Sequence, residues 1–291
     1  MMKKSRSIKY DAWGLWWVIL FVIFMLITSI SPSLFGASYN FFIRVTISAI
    51  LASILNIVMF KFVFPNMIKN QKAFNEIMNE LRDNGMSEQL NDRMIEQYNI
   101  CSKNPAEYYV YILNYAILIS AYYADVYEDY ATAYEYLDKI DFSAFSGYLR
   151  YSEVKAIMVQ YYTVKLEIEC DANDKVRADN TYKALMEFCE VYQYKDELNS
   201  LKTSELVFCS YNILCGNCQD VINKLEQTNY DDEYCTVTKL TILAKAYTKL
   251  GDLPKALEMW GEALNCTKRE IIKKIIQREM NRLAASSESI R

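Results

Sequence analysis

Residues 12 to 43 carry no charged side chain. A helix needs about 20 mostly apolar residues to cross the hydrocarbon core of a bilayer, so this run is too long and too greasy for a buried core helix. A second apolar run, 41 to 64, follows at once and is broken only by Arg44 and Lys61. The pattern predicts transmembrane helices at about 13–30 and 41–60, joined by a short uncharged loop with Pro32 and Gly36. Lys3, Lys4, Arg6 and Lys9 precede the first span, and Lys61, Lys69 and Lys72 follow the second. Positive residues favour the cytoplasmic side, which places both termini there and makes a hairpin anchored in the cell membrane. Tyr10, Trp13, Trp16 and Trp17 suit the aromatic belt at the inner interface. A cleaved signal peptide fits less well, because the apolar run exceeds an h-region and no small-residue cleavage site precedes the second run. Ser48, Ala52 and Asn56 recur every four residues in the second span. Such a stripe serves close helix packing, either within the hairpin or between copies in a homo-oligomer.

The remaining residues read differently. Residues 1–72 hold eight bases and one acid, net +7, while the whole chain is −4, so residues 73–291 sum to −11. An acidic body lacks the basic footprint that nucleic acid requires. Only 7 glycines and 4 prolines occur in 291 residues, too few for a sheet protein with many tight turns, and the fold class expected is all-α. Scarce glycine with abundant Lys, Ile, Asn and Tyr fits an AT-rich bacterial genome. There is no histidine, which removes imidazole bases, Ser-His-Asp and Cys-His nucleophiles and His metal sites. The glycines are isolated, so no phosphate loop can be built. These absences argue against an enzyme and against a cofactor.

Organisation along the chain follows from helical periodicity. Residues 66–103 predict two juxtamembrane helices, the first ended by Gly85 and the second capped by Ser87. Asn104-Pro105-Ala106-Glu107 predicts a capping box opening a long helix. Residues 104–291 form the remaining domain, closed by a helix at about 268–284 that Thr267 and Glu270 are expected to cap. That last helix sets Ile271, Ile272, Ile275, Ile276 and Leu283 on one side and Lys273, Lys274, Arg278 and Arg282 over much of the rest. It suits a cap over an open core, or a basic face for anionic lipid or an acidic partner.

The most regular stretch is LAKAYTKLGDLPKALEMWGEAL, 243 to 264. Ala244 and Ala256 allow close helix approach, Tyr247 and Trp260 fill the space beside them, Gly251 suits a left-handed helix end, and Asp252 suits the next cap. With Ala263 these residues resemble a tetratricopeptide repeat. Gly216 lies 35 residues upstream, near the family's period, although Val221 stands where alanine is usual. A third turn is placed at Glu128-Asp129, between Ala121, Ala124 and Ala133, and the segments 148–170 and 175–194 form a longer, irregular pair. The resemblance implies a right-handed α-solenoid whose concave face is built from the first helix of each pair and receives a protein or peptide partner. Carried onto this chain, the family's groove positions fall at Lys245, Thr248 and Lys249, with Tyr122 and Ser210 from the weaker repeats. No first helix has the Lys-x-x-x-Asn pattern of members that clamp a C-terminal carboxylate.

Cys215-Gly216-Asn217-Cys218 invites a redox or zinc reading, with Cys209 and Cys235 as further thiolates. It also falls on an expected inter-helix turn, where cysteine serves as a small apolar residue. Tyr108, Tyr109, Tyr111, Tyr115, Tyr122 and Tyr123 crowd one helix, as core or as recognition surface. The expected function is a membrane-anchored interaction scaffold with a cytoplasmic repeat domain. The alternatives are a structural subunit of a membrane complex held by its hairpin, and a thiol or zinc protein centred on Cys215 and Cys218.

Overall fold

The computed structural model describes residues 65–142 and 152–288, with isolated helical positions at 22, 49–51, 53, 54 and 57. The hairpin expected at 13–30 and 41–60 therefore lies outside the described residues. Among the described residues no helix is long and apolar enough to cross a membrane, and no strand occurs, so the described chain is all-α. It divides into two compact units, Met1–Glu76 and Ile77–Arg291.

The helices are α1 (Pro65–Asn84), α2 (Glu88–Cys101), α3 (Pro105–Tyr122) with a π-helical turn (Tyr123–Tyr127), α4 (Tyr130–Asp138), α5 (Ser152–Asp171), α6 (Lys175–Val191), α7 (Lys195–Ser200), α8 (Lys202–Leu214), α9 (Cys218–Glu226), α10 (Glu233–Leu250), α11 (Leu253–Cys266) and α12 (Glu270–Glu288). Gly85 has a positive φ just after α1, and Ser87 accepts the Leu90 amide at the start of α2. At Asn104 the expected box forms differently: the asparagine amide donates to Glu107 at 2.6 Å instead of its oxygen accepting a backbone amide. Pro105 still occupies the first helical position, where its missing N–H costs nothing. The cap expected from Glu270 is supplied from another helix, since Glu233 of α10 accepts the Lys268 amide at 2.9 Å and Glu270 pairs with Lys273.

From α3 onward, one turn is reused. A helix ends in a left-handed residue, whose successor donates its amide to the carbonyl five positions back. These bonds are Asp174 to Glu169, Tyr194 to Cys189, Asn217 to Asn212 and Asp252 to Tyr247, at 2.8–3.0 Å. The left-handed residues are Asn173, Gln193, Gly216 and Gly251. The same bond satisfies a carbonyl that the helix end leaves open. Asp174 and Asp252 then accept the amides of Arg177 and Lys255 to start the next helix. Each such turn reverses the chain, so α5 packs on α6 and α10 on α11. The segments expected to be irregular, 148–170 and 175–194, thus hold the regular pair α5–α6.

Packing between pairs runs along the first helices: α3 lies against α5, α5 against α8, and α8 against α10. The buried side chains form successive clusters. Leu166, Ala178 and Val207 join α5, α6 and α8. Leu206, Cys209, Ile213, Val221 and Leu225 of α8 and α9 meet Ile242, Leu243, Ala246 and Tyr247 of α10. Val237, Leu240 and Ala244 meet Trp260 and Ala263 of α11, and Ile276 of α12 closes that cluster. Burying such side chains is worth about 1.5–3 kcal/mol each.

A methyl group at Gly251 would meet no atom within 4 Å, so its role is conformational. Gly251→Ala is expected to lower stability by about 1 kcal/mol, the cost of a Cβ in the left-handed region. Gln193→Gly is expected to raise it by a smaller amount, because the glycine also loses chain entropy. Denaturant unfolding of the two variants checks both signs.

Candidate functional site

The row of first helices and α12 surround a cavity of about 660 Å³. Its polar wall carries Asp125 from the π-helical turn, Glu167 and Asp171 from α5, and Lys245 from α10, while Trp260, Ile272 and Ile275 supply apolar surface from α11 and α12. Lys245 Nζ donates to Asp171 Oδ1 at 2.6 Å, across 74 residues of sequence. A second hollow of about 340 Å³ opens between α5 and α8, and Glu167, Tyr234 and Thr238 are common to both. The two hollows are therefore neighbours that share these side chains along the face built by α5, α8 and α10.

The charges in the cavity perturb one another. Asp125 is pushed up to about 7, by enclosure first and then by the Asp171 charge. Glu167 is pushed up to about 8 by enclosure, with Asp125 and Asp171 adding to it. Enclosure works against the Lys245 charge, but Asp171, Glu167 and Asp125 together hold its proton more firmly than in water. Asp125 presents over a third of its surface to solvent, yet that solvent is the water of the cavity, and protein surrounds it. Direct water contact leaves the direction of these shifts intact and tempers their size.

Of the groove positions expected from sequence, Ser210, Lys245 and Lys249 line the cavity. Lys249 Nζ donates to the Ile213 carbonyl at 2.8 Å, closing the end of α8. Tyr122 is elsewhere: it is 4% exposed and packs edge-on against Tyr123 and Tyr127. Thr248 is not on the cavity wall either, and its hydroxyl donates to the Ala244 carbonyl one turn back. Sequence reasoning missed Asp125, Glu167 and Asp171. Their signal was weak, since Glu167, Glu169 and Asp171 alternate along one helix and nothing in their order separates the cavity acids from the buried Glu169.

Cys218 is buried with Cys209 and Cys235 in the α8–α10 cluster, while Cys215 accepts from Lys175 at 3.8 Å. The two thiols of the Cys-x-x-Cys thus serve different surroundings. Among the described residues no group of three or more His, Cys, Asp or Glu is arranged to hold a metal ion. The arginines of the basic last helix, read as a face for lipid or an acidic partner, are engaged within the chain. Arg278 donates to the Asp125 and Val126 carbonyls at 2.9 Å each, and Arg282 makes a two-pronged bond to Glu128.

Glu169 stands two residues from Glu167, on the other side of α5. It is 0% exposed, and neither carboxyl oxygen has a hydrogen-bond partner. Burial pushes it up to about 7, against the pull of Thr181, Lys165 and Arg177. The Thr181 hydroxyl favours the ionised carboxylate without making a bond of normal geometry to it.

No family model matches the chain, and no curated protein or solved structure matches it.

The raised carboxyls set a pH dependence. Between about pH 4 and pH 8 the folded protein keeps protons that the unfolded chain has released, so stability falls as pH rises through that window. Melting temperatures are expected to decline from pH 5 to pH 8.5, and Glu167→Gln and Glu169→Gln should each remove part of the slope. An unchanged slope in Glu167→Gln would show that this carboxyl titrates at its ordinary value.

Proposed function

We propose that this chain is a membrane-anchored interaction scaffold whose helical domain holds a segment of a protein partner along its concave face. The observation that carries the reading is the pair of adjoining hollows on the face formed by α5, α8 and α10, with charged and apolar walls and a cavity large enough for several side chains. Several features support a tetratricopeptide-like solenoid: the recurring turn, the stacked first helices and the full burial of Ala244, Ala246 and Ala256. Such stacks bury a core between neighbours and leave one face curved and open to a ligand. The uncharged run 12–43 supports the membrane anchor, and the flanking lysines support a cytoplasmic repeat domain.

The segment that fits carries cationic and apolar side chains. Of the cations that line the cavity, Lys245 is bonded to Asp171, Lys249 and Arg278 to main-chain carbonyls and Arg282 to Glu128, so among the described residues Asp125 and Glu167 have no side-chain ion pair for an arriving cation to displace. Trp260, Ile272 and Ile275 offer contact to an aliphatic stem. Binding a cation there favours the ionised carboxyls, and affinity is expected to rise with pH through about 7–8.

The test is capture of partners by the tagged full-length protein, extracted gently from its native membrane. Lys245 and Lys249 are poor targets, because both brace the fold. Ser210→Arg and Thr241→Arg instead fill the cavity from its wall. Loss of a stoichiometric soluble partner in both variants, with helicity unchanged, is the expected result. A partner retained by both would remove the cavity from the binding surface and favour the hairpin as the functional element.

A further inference from the structure

The two ends of the helical stack meet across the mouth of the cavity, through contacts of a different kind from those inside the stack. Resting on the reading of the cavity as a binding site, we infer that the Arg278–Arg282–Glu128 cluster is a polar clasp that gates it. The closed clasp bars the cavity to bulky groups, and its opening admits them.

Three features carry this. First, α12 is fixed at one side only. Ile276 is 1% exposed among Val237, Leu240, Ala244 and Trp260, and Met280 and Leu283 pack on the same cluster. No residue of the π-helical turn belongs to that cluster. Second, the contact to the other end joins residues more than 150 positions apart by guanidinium groups. Arg278 donates to the Asp125 and Val126 carbonyls and pairs with Glu128, and Arg282 grips both oxygens of Glu128. Glu279 on α12 steadies both arginines, with its Oε1 2.9 Å from Arg282 Nη1 and 3.5 Å from Arg278 Nε. Third, every group in the clasp is satisfied equally well by water when it parts. The carbonyls lie at a helix end, and the Arg282 side chain is half exposed. Apolar packing thus holds α12 in place, while the first pair and its π-helical turn can separate from it without exposing a core. Asp125, Glu128, Arg278 and Arg282 all line the cavity, so the parting widens its mouth.

Cys170 reports on this, because it lines the cavity at the edge of the Leu166, Ala178 and Val207 cluster, whereas Cys209 lies wholly in the α8–α10 core. The experiment measures alkylation of each by a bulky maleimide in the full-length protein, read peptide by peptide by mass spectrometry. Burial raises the pKa of the Cys170 thiol and so slows its labelling in the closed form, which opening relieves together with the steric barrier. Arg282→Glu is expected to speed Cys170 labelling at least about tenfold, with Cys209 unchanged. In the native chain, raising NaCl from about 0.05 to about 1 M should speed Cys170 labelling by screening the clasp. A native rate in Arg282→Glu, no effect of salt, or a parallel rise at Cys209 would each overturn the gate. None of these readouts needs a partner, so their failure is distinct from failure of the capture experiment.

Discussion

The rest of the structure depends on a constraint on the first helix of each pair: it must be buried on two sides at once. In α8, Leu206, Cys209 and Ile213 face the cluster shared with α9 and α10, whereas Val207 belongs to the cluster shared with α5 and α6. In α10, Cys235, Ile242, Leu243 and Tyr247 go one way, and Val237, Leu240 and Ala244 go the other. No pair can satisfy both demands alone, so each pair requires the next, and the stack continues until a helix with one polar side ends it. α12 meets that requirement, with Ile276 turned inward and Lys274 and Gln277 outward. The third side of each first helix packs against nothing, and these unpacked sides together make the hollow face.

This geometry explains what the amino-acid order discloses. A helix buried on two sides shows little amphipathic contrast, so α3 and α5 carry weak periodicity, whereas the second helices α9 and α11 have one polar side and read clearly. The pair α10–α11 was legible because Gly251 and Asp252 announce its turn. The turns at Asn173 and Gln193 have the same backbone without a glycine, and asparagine or glutamine at one position carries little information. The turn at Glu128 has a left-handed glutamate, a choice that makes sense only once Arg282 is seen against it. Cavity residues were legible in proportion to the regularity of their repeat. Lys245 could be placed from its own pair, but Asp171, its partner 74 residues earlier, is fixed by how far α5 is displaced along α10, which is a property of the assembled stack.

Electrostatics divides the domain in a similar way. Asp138 receives Lys165 of α5 and Arg177 of α6, and Arg177 also lies 4.3 Å from the Tyr134 ring, which ties α4 to the second pair. These ion pairs are partly exposed and worth about 0.2–1 kcal/mol each, so they fix orientation more than they add stability. Inside the cavity the balance is reversed. Two carboxyls without a cation of their own are held close to Lys245, where ionising both is opposed by enclosure and by mutual repulsion. Filling this space with apolar side chains would remove that penalty.

The π-helical turn at Tyr123–Tyr127 links these points. At the turns of Asn173, Gln193, Gly216 and Gly251 the closing amide bond spans five residues, but here Asp129 reaches back six, to the Tyr123 carbonyl at 3.1 Å. The extra residue widens the last turn of α3 and redirects its carbonyls. Those of Asp125 and Val126 emerge toward α12, and each receives an N–H of Arg278. The wider turn also carries the Asp125 side chain onto the cavity wall beside Glu128. Every helix end leaves carbonyls open, and here two of them are taken by Arg278 from the far end of the chain. The one departure from the repeated turn, a single inserted residue, therefore provides both a wall of the cavity and the seat for the arginines that cross its mouth.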